Sequence, residues 1–395
     1  MMYKKVLALM LVLLSVTVIY DVRANNNWLE GWQYRKMHKI QGSTAGTVTN
    51  YQIKIIVHYG TGTDNDADVY LNTHCRCDFA DVRFTDSEGN TLKYWIQEKV
   101  NGDYAIFWVK IPNIPTYPET TTIYIYYGKV DAESESDGEA TFLFFDDFHG
   151  IELNTTKWDE DAINNIDQEV NGYFRFKDAT KSGGTYWIYD GSDTGNQHQA
   201  NVTLPNSFKI LFTTQISDTV DNQMGEGGVA IVSDDNTIII YASHGDWSGE
   251  AIQTRRWVIG ENTVTNIGSG WTQNLDYRAV KSVDNLDKAK WMIKKSGSSV
   301  MVYDENGKVC EMSISSTVSK ISLTAGAYGG RAYLDYIQVD YIAMANYINP
   351  EPTHTFWGNE EERIAEEEGE MNADLVMLIA IVISMLMVLV LGGRD

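Results

Sequence analysis

Tyr51 to Tyr59 reads YQIKIIVHY, and its spacing constrains the fold more than any other stretch. Ile53, Ile55, Val57 and Tyr59 fall on one side of an extended backbone and Gln52, Lys54 and His58 on the other, with Ile56 the exception. That is the period of a half-buried strand. Val82 to Thr85, Tyr94 to Val100, Tyr104 to Ile111 and Thr121 to Tyr127 repeat the pattern with β-branched and aromatic residues. Ser87-Glu88-Gly89-Asn90 and Asn101-Gly102-Asp103 are turn sequences between them. A one-sided strand needs a second sheet to bury its apolar face, so this half is expected to be an antiparallel β-sandwich.

Phe142 to Phe148, FLFFDDF, follows an acidic connection from Asp131 to Glu139. Beyond it Tyr173–Lys177, His198–Thr203, Phe208–Ile216, Gly228–Val232, Thr237–Ser243, Ile252–Ile259, Trp291–Lys295, Val300–Tyr303 and Tyr333–Tyr341 read as strands. Turns are expected at Ser233–Asn236 and at Asn306-Gly307. Short strands separated by turns are what a second two-sheet sandwich requires.

The two ends differ from this middle. Lys4 and Lys5 precede an apolar stretch from Val6 to Tyr20, and Val22-Arg23-Ala24 has the form of a signal-peptidase site. Leu375 to Leu391 is apolar apart from Ser384; its 17 residues would make a helix of roughly 25 Å, close to the thickness of a bilayer core. Before it, Glu360 to Glu370 carries seven glutamates and one arginine, whose repulsion favours an extended stalk. The expected organisation is all-β: a signal segment (1–24), a first sandwich (28–140), a second (141–358), an acidic stalk (359–374) and a transmembrane helix (375–391). The bulk of the chain is expected outside a cell membrane.

The net charge of −23 disfavours nucleic acid and anionic lipid surfaces as partners. Eleven Trp and 23 Tyr argue against disorder. Three cysteines are too few for a disulfide scaffold, and His74-Cys75-Arg76-Cys77 has no second ligand pair at zinc-like spacing.

Trp32-Gln33-Tyr34-Arg35, Asn50-Tyr51-Gln52, Asp81 to Asp86, Tyr94-Trp95-Ile96, Phe107 to Pro112 and Ile125 to Gly128 together resemble the successive signatures of the domain of unknown function 2341, over roughly residues 28–148. That family occurs in exported, often membrane-bound archaeal and bacterial proteins, and the resemblance implies no activity. FFDDF and the closing Leu334 to Val339 phrase resemble the first and last strands of concanavalin A-like or laminin G-like sandwiches, which often lie together.

Catalytic patterns are missing. A glucanase-like Glu-x-Asp-x-x-Glu does not occur, Asp159 to Asp161 are consecutive carboxylates, and Asp335 and Asp340 stand five apart, so neither set points one way from a strand. Gly-x-Ser-x-Gly and phosphate-binding glycine loops are also missing. The chain is therefore not expected to be an enzyme, with a glycoside hydrolase as the third reading.

Binding fits better. HGDWSGE, His244 to Glu250, places Asp246 and Trp247 between two strands, where an indole can stack on a sugar, with Tyr241, Arg256 and Trp257 alongside. The expected role is recognition of glycans or surface proteins; the alternative is a structural component of a surface layer or envelope. No cofactor is expected beyond a possible calcium ion at Asp64, Asp66 and Asp68, which alternate as calcium-loop ligands do, although a solvated acidic turn explains them more simply. Asn154-Thr155-Thr156 and Asn201-Val202-Thr203 are glycosylation sequons.

Overall fold

The computed structural model describes residues 28–159, 168–177, 197–217, 224–233, 239–247, 254–259, 288–313, 317–327 and 336–363. The signal segment and the apolar run Leu375–Leu391 lie outside the described residues. Among the described residues no helix is long and apolar enough to cross a membrane.

The first part contains β1 (Tyr34–Gln41), β2 (Val48–His58), β3 (Asp68–Tyr70), β4 (Arg83–Asp86), β5 (Tyr94–Val100), β6 (Tyr104–Ile114) and β7 (Thr120–Tyr127). A single turn of helix, α1 (Gly138–Thr141), capped by the Asp137 side chain, leads into β8 (Phe144–Asp146). Then come β9 (Trp158–Asp159), β10 (Gln168–Val170), β11 (Phe174–Lys177), β12 (Gln197–Ala200), β13 (Ser207–Ser217), β14 (Met224–Ser233), β15 (Ile239–Trp247) and β16 (Thr254–Ile259). The rest are β17 (Ala289–Ser296), β18 (Ser299–Asp304), β19 (Gly307–Ser313), β20 (Val318–Ala327), β21 (Tyr336–Val339), β22 (Ile342–Asn346), β23 (Thr353–Trp357) and β24 (Glu361–Glu362).

These strands form four sheets. Sheet I runs β23-β1-β7-β4 with β24 also on β1, and sheet II runs β3-β2-β6-β5. Alternation fills the space between them: Tyr51, Ile53, Ile55 and Val57 of β2 meet Phe107, Val109 and Ile111 of β6 and Ile123, Ile125 and Tyr127 of β7 in one buried cluster. Ile56, out of step in the sequence, is half-buried and pairs beside Asp68 of β3.

Sheet III has nine strands, in the order β10-β11-β21-β13-β17-β18-β19, with β22 and β8 joined to the side of β13. Sheet IV runs β16-β15-β14-β20-β12-β9. Their shared core holds Phe208, Ile210, Phe212, Ile293, Val302, Ile342 and Met344 from one side and Val229, Ile231, Ile321, Leu323 and Trp158 from the other. FFDDF was expected beside the Leu334–Val339 strand; β8 pairs instead with β22, a few residues later, while β21 pairs with β11 and β13. The reason is the length of β13: its first half holds β22 and its last residues hold β21.

The outer residues of sheets II and III meet each other. Trp95, Trp108, Phe142, Phe145, Leu211, Tyr341, Ala343 and Ala345 form a buried cluster between the two sandwiches. Gln52 bonds to the Thr141 carbonyl at 2.7 Å and accepts the Asn346 amide at 3.0 Å. At the centre, Glu351 accepts from Lys209 at 2.8 Å, Lys294 at 2.6 Å and the Tyr51 hydroxyl at 2.6 Å. The Lys209 ammonium also lies 4.8 Å from the Tyr51 ring and 5.0 Å from that of Trp108. Four sheets are thus stacked in one direction, with three buried layers between them.

One expected boundary differs from the strand pairing. The second sandwich was expected to run to 358 and a free stalk to follow. Thr353–Trp357 instead pairs with β1, and Glu361–Glu362 with Tyr34 and Arg35. Glu360 accepts from Tyr127 at 2.6 Å and meets His74 at 2.9 Å, and Glu361 meets Arg35 at 2.8 Å. The chain returns to its first sheet because β1 needs a neighbour on its second edge. The beginning of the acidic run is held by Arg35, His74 and the Tyr127 phenol, and so is not an extended stalk there.

Candidate functional site

In sheet IV, Val229, Ile231, Ile321 and Leu323 belong to the core, so the alternate positions of β14 and β20 form the other face. Registers across the sheet give its rows. One row reads Asp159, Gln199, Ser322, Ala230, Tyr241, Ile259. The next reads Gln197, Thr324, Gly228, Ser243, Trp257. The third is Gly326, Glu226, Gly245, Arg255, and Met224 pairs with Trp247 beyond it.

The middle of this face is built of Gly, Ala, Ser and Thr. A strand with no bulky side chain lets another group approach the backbone closely. Aromatic positions stand at the β15–β16 side and amide positions at the β12 side. Gly228, Ala230 and Ser322 are buried. The Ser322 hydroxyl is buried and has no hydrogen-bond partner among the described residues.

The five residues expected to form a sugar site divide by register. Tyr241, Trp247 and Trp257 occupy the rows just given. Asp246 and Arg256 occupy the alternate parity, level with Gly225 and His244. The side chains of all five lie outside the described residues. Reading HGDWSGE as a loop hid this division, since β15 extends through Trp247. Gln197, Gln199, Glu226, Ser322, Thr324 and Arg255 were missed: without the register, nothing in the sequence joins them.

Asp159 and Glu226 are the acidic positions in these rows. Glycosidase pairs stand about 5 to 9.5 Å apart. Asp159 and Glu226 are three strands apart, about 14 Å across the sheet at about 4.8 Å per strand, with four residues of offset along it.

The three aspartates considered for calcium do not converge. Asp64 accepts from Lys36 at 2.7 Å and from the Tyr70 amide at 2.8 Å, and Asp68 meets His58 at 2.6 Å. Asp66 sits at φ 50, where its carbonyl accepts the Trp357 indole at 3.0 Å. Among the described residues no group of three His, Cys, Asp or Glu could hold a metal ion. Of the three, Asp64 is ion-paired with Lys36, and Asp66 is engaged through its backbone carbonyl. Cys75 is buried and Cys77 exposed, both as free thiols.

Beside that turn lies a buried histidine pair. His38 is fully buried and stacks on Trp357 with ring centroids 3.7 Å apart. Its Nδ1 faces the Phe356 carbonyl at 2.9 Å and must carry the proton, so its Nε2 accepts from His354 Nδ1 at 2.7 Å. Burial and the neighbouring His354 pull the His38 pKa down to about 3, and burial lowers that of His354 too.

Residues 78–161 match the family described as Domain of unknown function (DUF2341). The match takes in β4 to β9 and the FFDDF phrase; the resemblances at Trp32–Arg35 and Asn50–Gln52 lie before it. A curated relative, an uncharacterised protein of Methanocaldococcus jannaschii, is 30% identical over 139 residues, 32% of this chain and 23% of its own length. The alignment therefore spans about a quarter of that relative.

Among solved structures, one reported with endo-acting O-glycanases of the human gut microbiota is 14% identical, with TM-score 0.39, over 52% of this chain and 100% of its own. A putative beta-glucanase of Mycobacterium abscessus is 11% identical, with TM-score 0.34, over 51% and 99%. An engineered GH43 glycoside hydrolase is 8% identical, with TM-score 0.39, over 65% and 52%. Likenesses of this size decide nothing about what this chain does.

Proposed function

We propose that the chain is a membrane-anchored surface protein whose second sandwich recognises glycans across the outer face of sheet IV. The observation that carries this reading is the row register: positions of small residues with three aromatic positions towards one side and two glutamine positions towards the other. A sugar ring offers an apolar face for stacking and a rim of hydroxyls for amides, and the rows offer both in one plane. Individual contacts of this kind are weak, and many copies on one surface would add them. The export signal and the apolar run Leu375–Leu391 support the outward placement.

The test is a glycan array probed with the full chain in detergent. Binding is expected, and Trp257→Ala or Trp247→Ala should weaken it at least tenfold, while Arg256→Ala, on the other parity, should leave it within about twofold. A blank array, or equal losses from both parities, would overturn the reading.

A structural role in a surface layer is the second reading, favoured by the stack of four sheets with a charged lock at its centre. Ordered assembly on membranes without glycan binding would decide for it.

A further inference from the structure

Asn154 and Asn201 are far apart in sequence and adjacent in the fold. Lys157 joins them: its amide donates to the Asn154 carbonyl at 2.9 Å, and its own carbonyl accepts the Asn201 amide at 2.7 Å. Both asparagines are exposed, as are Thr156 and Thr203, the residues that complete each sequon. In Asn154 the carboxamide oxygen is the engaged atom, accepting from the Thr156 hydroxyl at 2.7 Å and the Thr156 amide at 3.0 Å. The nitrogen, which is the atom a sugar would join, has no contact among the described residues.

The place of the pair gives it a purpose. β9 is the last strand of sheet IV, and among the described residues nothing pairs with its far side. Asn154 lies four residues before β9, and Asn201 directly follows β12, its neighbour. A sheet edge of this kind invites pairing with another chain, and natural proteins blunt it with charge, twist or cover. The charge nearby comprises Lys157, bound to Glu139 at 2.7 Å, and Asp159 of β9 itself.

We infer that Asn154 and Asn201 are both N-glycosylated, and that the two glycans shield the β9 edge of sheet IV from edge-to-edge association. This rests on the outward placement in the reading above but not on its glycan-binding face. In the reaction the Asn Nδ2 bonds to the anomeric carbon of a polyprenyl-diphosphate-linked sugar. The bond from that carbon to the diphosphate oxygen breaks, the diphosphate leaves with the electron pair, and the amide proton passes to a base of the transferase. No oxidant or reductant is needed.

The experiment produces the full chain in a host whose secretory route carries such a transferase and takes the exported fraction by protease shaving of intact cells. N-glycosidase digestion in heavy-oxygen water then converts each formerly glycosylated asparagine to a labelled aspartate. Label is expected at both positions; Thr156→Ala should remove it at Asn154 alone and Thr156→Ser should retain it. Enzymatic removal of the glycans from the folded chain should raise self-association, read by light scattering, severalfold. Unlabelled asparagines in a filled exported fraction, or no change in scattering on deglycosylation, would overturn the inference. An empty exported fraction would overturn the outward placement and this inference together, which separates the two failures.

Discussion

Lys209 and Glu351 show how much a single pair of side chains decides in this molecule. Burial alone would raise the Glu351 carboxyl, but Lys209 and Lys294 outweigh it and hold it at about 2. Lys209, wholly enclosed, is pulled below its usual value by burial and only partly restored by Glu351. Removing one partner strands a buried charge, so Glu351→Ala is expected to cost about 3 to 5 kcal/mol in urea unfolding. Lys209→Met combined with Glu351→Ala should cost less than Glu351→Ala alone; a larger loss would show that packing, and not stranded charge, sets the penalty. The histidine pair has its own signature. His38 and His354 are neutral when folded and bind protons near pH 6.5 when unfolded, so the unfolded chain gains protons as pH falls through that range. Their contribution is complete above about 6.5 and is lost as pH falls below it, for His38 progressively towards about 3, at no more than about 1.4 kcal/mol per unit. Glu351 acts lower, its contribution fading from about 4.5 to about 2. Stability should therefore already decline between pH 6.5 and 4.5, and His38→Phe should flatten that segment of the urea-midpoint curve. An unchanged slope in the variant would refute the assignment.

Among the elements, β23 most deserves a test, because five residues close the first sheet from the far end of the chain. A chain ending at Pro352 keeps Glu351 but loses the β1 partner, the Trp357 stack and the Glu360 and Glu361 contacts. It should be less stable than one ending at Arg363 and should associate through the bared edge of β1, which sedimentation would detect. Equal sedimentation of the two would remove β23 as a necessary partner. The same element marks the limit of what the residues alone convey. β2, β5 and β7 are legible because each is rich in β-branched and aromatic residues, although none alternates strictly: β5 buries both Tyr94 and Trp95, each in a different cluster. β20, the centre of sheet IV, is not: a register shift beside Val232 and Ser233 puts two residues between Val318 and Ile321 and breaks the period of two. Apart from Lys320 and Leu323, its remaining positions are Ser, Thr, Gly and Ala, which carry little strand signal. β23 is hidden for another reason, since Pro350-Glu351-Pro352 looks like the end of a module and its partner lies some 316 residues away. Lys209 is equally illegible, because a lysine between Phe208 and Ile210 reads as a solvent-facing position when it in fact faces a second sandwich. The candidate face follows the same rule: its aromatic positions were visible as residues, while its rows exist only once β20 is in place.

At the scale of the whole molecule, the two sandwiches should melt together. The layer between sheets II and III holds eight buried apolar or aromatic residues and a fully enclosed lysine, so separating the halves exposes surface that neither tolerates alone. A single calorimetric transition is expected. Trp108→Ala, which empties the middle of that layer at about 3 to 5 kcal/mol, should split it into two. Two transitions in the unaltered chain would contradict the stacked arrangement. The path of the backbone has one more consequence. Because β8 and β22 run side by side in opposite directions, the polypeptide enters and leaves the second sandwich at one doorway. Descendants of such a chain are free to trade that sandwich for another cargo, provided the newcomer brings an underside that fits Trp95 and Trp108.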